Sequence, residues 1–259
     1  ADGSIAILQG RCVGGSTTVN WTSSFRTPDE TLSHWRDHHN VKDCDTEDLA
    51  PWFGQREDEL SIAPWPVEPN RNNGVLRDGC EALDWHWGVI PRNVKGCWDL
   101  GYCGLGCPNN AKQSTLVTSV PASLRRGATL IHSLRAERLL HNGDWIQQLE
   151  ATALDSEGVR PTGRRVFISA KHFVVAASAI GSPGLLLRSQ VPDPDQRLGK
   201  RTFLHPVNAT VARMAEPVEP YYGAPQSVYS DEFLWRDGVA GHPGYKMEVP
   251  PLHPVMAAA

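Results

Sequence analysis

The chain has 259 residues, 40% of them hydrophobic, with 25 basic and 29 acidic side chains and a net charge of -4. That length and composition allow a substantial buried core in one large or two smaller domains, and the lack of a dense basic tract argues against nucleic acid as a partner. No apolar run approaches the ~18 residues that a membrane span requires, and the first residues lack the charged-then-apolar pattern of a signal peptide.

In chain order, the apolar run Ile5-Ala6-Ile7-Leu8 leads into residues 10–20, Gly-Arg-Cys-Val-Gly-Gly-Ser-Thr-Thr-Val-Asn. Adjacent glycines let a backbone approach a bulky ligand, because no Cβ obstructs it. Ser16, Thr17 and Thr18 then offer capping hydroxyls to a helix start suited to an anion. The bland alternative is a turn and nothing more. Thr27-Pro28-Asp29-Glu30 predicts a helix with a Thr27 cap, and Leu32, Trp35 and His39 share its inner face. His34, His38 and His39 have no acidic partner at a recognised metal spacing, so they read as a solvated or partly packed face. A second helix is expected over 48–60, where Leu49, Trp52, Phe53 and Leu60 recur at helical spacing. Residues 63–73 hold three prolines and read as an extended loop. A helix over 74–83 then leads to Trp85-His86-Trp87, which fits a core or interdomain wedge, with a substrate-channel wall as the other reading.

The six cysteines are Cys12, Cys44, Cys80, Cys97, Cys103 and Cys107. They are too sparse for a disulfide scaffold and read mainly as reduced thiols, which favours the cytoplasm without fixing the compartment, since a secreted protein could pair some. Three of them fall within residues 97–108, and Cys107 precedes proline as in iron-sulfur ligand runs. The spacing departs from close Cys-x-x-Cys repeats, and no fourth ligand for zinc is evident nearby. Gly104-Leu105-Gly106 is not a dinucleotide fingerprint: no strand leads in, position 109 is not glycine, and no ribose-binding acid follows.

Further on, Leu116, Val120 and Leu124 predict a helix over 113–126, kinked or broken at Pro121 and ended by Gly127. A strand is expected over 129–132, a hairpin over 136–153 around Asn142-Gly143, a turn over 155–158 and a strand over 165–170. Residues 173–177 read as a buried strand. Ser182-Pro183 reads as the capped start of a Leu-rich helix. Ala209 to Met214 is strand-like, and proline-rich loops follow.

Two stretches together, Gly10-Arg11 with Gly14-Gly15-Ser16 and Asn20, and the small-residue run Ala176 to Ala179 with Ser182-Pro183 and its leucines, resemble the glucose-methanol-choline (GMC) family of flavin-dependent oxidoreductases. The segment Leu198-Gly199 to His205-Pro206 is similar to a third family motif in the same order. Within the family, Cys103-Gly104-Leu105-Gly106-Cys107 followed by a helix containing Lys112 is similar to the long-chain alcohol oxidase branch, which has no metal there. Relatives with a cytochrome partner carry a cysteine-ligated cluster in this region.

The resemblance implies an α/β (α+β) fold. Residues 1–206 would form part of an FAD-binding domain, with a parallel sheet, a β-meander and helices. Residues of about 63–108 would be inserted over the flavin and substrate entrance, and 207–259 would begin an antiparallel-sheet substrate domain. It implies FAD as cofactor, contacted by Arg11, Gly14, Gly15, Ser16, Asn20, Ala136, Ala176, Ser178 and Ser182, with the backbone near Ala136 facing the adenine. It also implies oxidation of an alcohol by hydride transfer to flavin, with oxygen, a quinone or a cytochrome as electron acceptor. The dinucleotide fingerprint would lie before residue 1 and the catalytic histidine after Ala259, so the chain would be an incomplete part of the enzyme and the absent signal pattern carries no weight. No catalytic residue is assigned, no metal ligand is expected, and His205 reads as structural or interdomain. Two other classes stay open: an iron-sulfur flavin dehydrogenase subunit serving a cytochrome or quinone, and a non-catalytic interaction module.

Overall fold

The computed structural model describes residues 7–203, 205–239, 241–242 and 244–252. Ile5, Ala6 and Leu204 of the segments read above lie outside the described residues. Helices and strands are mixed. The first part of the chain forms α1 (Asp29–His39), α2 (Thr46–Leu60), β1 (Ile62–Pro64), α3 (Arg71–Leu83), β2 (Gly88–Val89), β3 (Pro91–Asn93) and α4 (Ser119–Arg125). There follow β4 (Leu134–His141), β5 (Ile146–Leu154), β6 (Pro161–Ile168), α5 (Ser178–Arg188), β7 (Val228–Phe233) and β8 (Tyr245–Glu248). Two short 3-10 turns occupy Gly15–Thr18 and Cys103–Leu105. The chain divides into two compact units, Ala1–Ala128 with Arg213–Ala259, and Thr129–Ala212.

In the first unit, α1 begins one residue later than Thr27 would set it. Pro28 itself is the N-cap, in extended conformation, and no side-chain cap bond forms. Asp29 and Glu30 in the first turn and Arg36, His38 and His39 in the last complement the helix dipole. Leu32 is buried, whereas Trp35 and His39 are exposed, so the inner face is narrower than its spacing indicated. His34 stacks on His38 at 4.6 Å and its Nε2 lies 3.3 Å from that of His39. Among the described residues no group of three or more His, Cys, Asp or Glu side chains could hold a metal ion.

A reciprocal cap opens α2: Asp45 Oδ1 accepts from the Asp48 N–H at 2.9 Å, and Asp48 Oδ2 accepts from the Asp45 N–H at 3.4 Å. The loop expected over 63–73 is shortened from both ends. Ile62–Pro64 pairs antiparallel with β3, and α3 starts at Arg71 because Asn70 Oδ1 caps the Asn73 N–H at 2.9 Å. A three-stranded antiparallel sheet, β2-β7-β8, joins distant parts of the unit. Ile90 and Val228 are fully buried, as are Leu32 of α1 and Cys80 of α3. Buried Asn73 ties α3 to β7, its Oδ1 accepting from the Ser227 N–H at 3.0 Å. Trp85 packs edge-on against Phe233 at 4.8 Å, and Phe233 stacks on Tyr245 at 5.0 Å.

The helix predicted over 113–126 is shorter. Ser114 O accepts from the N–H groups of Val117 and Thr118, closing a turn before α4 begins. Pro121 then falls in the first turn of α4, where a missing N–H breaks no helical bond, so no kink arises. Gly127, with φ 91°, ends the helix. Residues 110–114 are not helical either; Lys112 bridges to Val94 in an antiparallel pair.

The second unit is built on the antiparallel meander β4-β5-β6. The Asn142-Gly143 turn forms as its residues demand: Gly143 has φ 104°, and Asn142 Oδ1 accepts from the Trp145 N–H at 3.0 Å. Residues 129–132 are not a strand, because Leu130 and Ile131 are exposed and Ser133, at φ 54°, turns the chain before β4 starts. On β5, Glu150 sits between Arg138, whose Nε lies 2.6 Å away, and Arg165. The arginine hydrogen bonds, Arg138 first, hold its carboxyl below the ordinary glutamate range. Helix α5 is fixed to β4 through Ser189, whose Oγ accepts from the buried Leu139 N–H at 2.8 Å and donates to Leu185 O at 2.6 Å.

The parallel sheet implied by the resemblance is not found among the described residues, where every strand pairing is antiparallel. Residues 173–177 form no strand and pair with no strand among the described residues, with Val174 91% exposed. A parallel strand needs neighbours to take its backbone bonds, and none of the described strands lies beside it. Residues 209–214 are likewise exposed and not strand; the antiparallel pairing of this region comes later, in β7 and β8.

Candidate functional site

The first-unit candidates Arg11, Gly14, Gly15, Ser16 and Asn20 share one tight turn. Gly14, with φ 91°, leads into the 3-10 turn Gly15–Thr18, and the Gly15 N–H donates to Cys12 O at 2.9 Å. The two glycines do different jobs. A Cβ on Gly14 would press on Thr18 Oγ1 at 2.6 Å and on Leu116 Cβ at 2.9 Å, so its bareness lets the turn pack on its own support. At Gly15, with φ 56°, a Cβ would meet nothing within 4 Å. Its bare face therefore looks onto open space, the arrangement that a close-approaching ligand needs.

The turn is held by its own hydroxyls and by Thr115, which the sequence did not single out. Thr17 Oγ1 donates to Gly14 O at 2.5 Å and accepts from the Thr115 N–H at 3.1 Å, while Thr115 Oγ1 donates to Gly14 O at 3.0 Å. Ser16 faces back, its Oγ accepting from the Gly10 N–H at 3.1 Å. Asn20 Oδ1 accepts from the Thr22 N–H at 3.2 Å, which stabilises Thr22 at a positive φ of 70°. Buried Lys112 closes the far end: its Nζ donates to the carbonyls of Thr18, Asn20 and Cys103 at 2.9, 2.6 and 2.5 Å. Burial pulls its ammonium below the ordinary lysine range, an effect opposed by the nearby Cys103 and Cys107.

A second buried cation, Arg92, is 1% exposed. Its guanidinium donates to Pro225 O, to Trp21 O at 3.0 Å and to Cys103 Sγ at 3.5 Å, and it lies over the Trp65 ring at 5.1 Å. Its Nε has no hydrogen-bond partner among the described residues. Arg92 and Lys112 thus tie the cysteine segment to the glycine turn. Lys112 belongs to the stretch that follows the Cys-Gly-Leu-Gly-Cys motif, but Arg92 carried no motif; the signal that could have found it was position alone, in the segment 91–95 just ahead of the cysteines.

In the second unit, Ala136 lies on β4 and its carbonyl accepts from Arg188 Nη2 of α5 at 3.5 Å. Ser182 is not the start of the helix. The chain turns in at Ser178, which has φ 68°, and Ser182 Oγ accepts from the Ala177 N–H at 2.9 Å, stapling the helix entry from inside. Pro183 accordingly sits within α5. Ala176 and Ser178 are exposed just ahead of it, and His205 is exposed.

GMC oxidoreductase is the family whose description matches residues 1–207; the chain belongs to the GMC oxidoreductases. It is 34% identical to an uncharacterized GMC-type oxidoreductase of Mycobacterium tuberculosis over 236 residues, 91% of this chain and 36% of that protein. It is 28% identical to a long-chain-alcohol oxidase of Arabidopsis thaliana over 228 residues, 86% of this chain and 30% of that one. Among solved structures, pyridoxine 4-oxidase from Mesorbium loti matches with a TM-score of 0.50 at 16% identity, covering 71% of this chain and 37% of that one, a likeness of fold. The chain spans about a third of the length of these relatives. The matching N-terminal domain is the FAD-binding domain of the family, and its members are oxidoreductases.

Proposed function

We propose that this chain provides FAD-binding surface in an enzyme that oxidises an alcohol. The observation that carries the reading is Gly15: a left-handed residue whose missing Cβ faces open space, on a turn locked by Thr17, Thr115 and Lys112. A rigid turn with a bare outer face suits a flat aromatic ring or a phosphate at van der Waals distance. On this reading Arg11, Gly14, Gly15, Ser16 and Asn20 form one contact surface for the cofactor, and Ala136, Ala176, Ser178 and Ser182 contribute another. Residues 1–206 serve the FAD-binding domain, those around 63–108 cover the cofactor and substrate entrance, and 207–259 open the substrate domain.

When bound, the flavin supplies a two-electron acceptor for a hydride from the alcohol carbon. What this chain contributes is position. Lys112, buried beneath the turn and hydrogen-bonded to its carbonyls, holds the backbone still and places a positive charge behind it. The base that takes the hydroxyl proton belongs, on this reading, to a part of the enzyme other than residues 1–259. The alcohol-oxidase name of one relative supports an alcohol as substrate. Oxygen, a quinone or a cytochrome could take the electrons, and hydrogen peroxide formation during turnover separates the first from the others. The test of the reading is flavin content: Gly15→Val should lose FAD while keeping the native circular dichroism spectrum. Unchanged FAD content in that variant contradicts it.

A further inference from the structure

The three cysteines of residues 97–107 line one small cavity, together with Asp99, Tyr102 and Pro108. Two left-handed residues bend the intervening chain, Asp99 at φ 56° and Gly101 at φ 73°, and Cys97 and Cys103 both line the cavity. All three are free thiols, each partly exposed. Their surroundings differ. Cys103 Sγ receives a hydrogen bond from the Arg92 guanidinium at 3.5 Å, whereas Cys97 Sγ takes a neutral backbone N–H from Asp99 at 3.4 Å. Cys107 instead donates, to Asn109 Oδ1 at 3.0 Å.

We propose that Cys103 is an oxidation-sensitive thiol whose sulfenic acid is resolved by Cys97, so that residues 97–103 form a reversible disulfide switch toward hydrogen peroxide. The guanidinium of Arg92 is fixed by Trp21 and Pro225 and stays charged at any physiological pH, so it stands ready to stabilise an anionic sulfur. At Cys97, burial, reinforced by the neighbouring Cys103, pushes the thiol up, which suits the slower resolving partner. In the first step the Cys103 sulfur, losing its proton, attacks one peroxide oxygen, the O–O bond breaks, and the departing hydroxide takes up a proton to become water. In the second step the Cys97 sulfur, losing its proton, attacks Cys103 sulfur; the S–O bond breaks and a second water departs. Two thiols give up two electrons and two protons, and one peroxide becomes two waters. The oxidised form reaches further than the cavity, because the Cys103 carbonyl shares Lys112 Nζ with Thr18 and Asn20.

The test uses the natural gene product, reduced, freed of reductant and exposed to a small excess of hydrogen peroxide, then alkylated with iodoacetamide and digested with trypsin. Residues 96–112 form one tryptic peptide that contains all three thiols. The expected product is that peptide two hydrogens lighter, alkylated at Cys107 alone, and restored to three alkylated cysteines by dithiothreitol. In Cys97→Ser the sulfenic acid at Cys103 should persist and react with dimedone, and in Cys107→Ser the Cys97–Cys103 bridge should form as in the parent. A peptide that stays fully alkylated, a bridge from Cys103 to Cys107, or loss of the bridge in Cys107→Ser would each overturn the proposal.

Discussion

Lys112 holds Thr18: its buried ammonium lies 2.9 Å from the Thr18 carbonyl at the end of the glycine turn, and the same nitrogen also binds the carbonyls of Asn20 and Cys103. The turn and the cysteine segment, more than eighty positions apart in sequence, are therefore one piece of structure. Lys112→Met keeps the apolar stem and removes the donor, leaving three carbonyls to find other partners, so it should lower unfolding stability by about 2–3 kcal/mol. Urea denaturation measures this, and an unchanged midpoint would contradict the clamp.

Gly104 and Gly15 should respond unequally to enlargement. A Cβ on Gly104 would run into the ring of Trp21, so Gly104→Val should destabilise the fold by about 2–3 kcal/mol through overpacking. The space beside Gly15 is open, so Gly15→Val meets only backbone strain of about 1–2 kcal/mol in the folded chain. Thermal melts of the two variants should separate accordingly, with Gly104→Val the less stable. The difference is Trp21, whose approach to Gly104 no motif announces.

In the second unit, Ser189→Ala should cost about 1–3 kcal/mol, because it strands the buried Leu139 N–H that joins β4 to α5. Hydrogen exchange at Leu139 offers a local readout: its protection should fall more than that of β5 amides. Equal loss along the meander would place the effect elsewhere.

Glu150 sets an acid limit. Its carboxyl is held below the ordinary value by Arg138 and Arg165, so the folded form binds its proton less readily than the unfolded chain. The stabilisation is complete above the unfolded value of about 4.3 and is lost as pH falls through the lower folded value. Glu150→Gln should flatten the decline in stability below pH of about 4.5 relative to the parent. Parallel stability curves for the two proteins between pH 3 and about 6 would contradict this.

Much of the framework was legible in local chemistry. The Asn142-Gly143 turn, the helix over Thr46–Leu60 and the glycine turn all follow from residues that act on their immediate neighbours. What was not legible depends on long-range partners. Residues 173–177 have the composition of a buried strand, but no described strand pairs with them; the β2-β7 pairing joins segments about 140 positions apart. The supports of the candidate site, Arg92, Lys112 and Thr115, are ordinary polar residues until folding carries them under the turn. Ser182 illustrates the intermediate case. Its hydroxyl does act at a helix entry, but from inside the helix, accepting from Ala177 instead of capping as the first residue.

The account rests on FAD being held at the glycine turn, without a covalent tether, since no histidine or cysteine stands at Gly14 to Thr18 and the Cys12 sulfur is engaged with Gly15 O. Acid precipitation of the natural gene product, with FAD measured in the supernatant, tests this most directly. The account predicts about one FAD released per chain from the parent and a small fraction of that from Gly15→Val with its fold intact. Equal FAD from the two proteins, or yellow colour retained in the pellet, would contradict it.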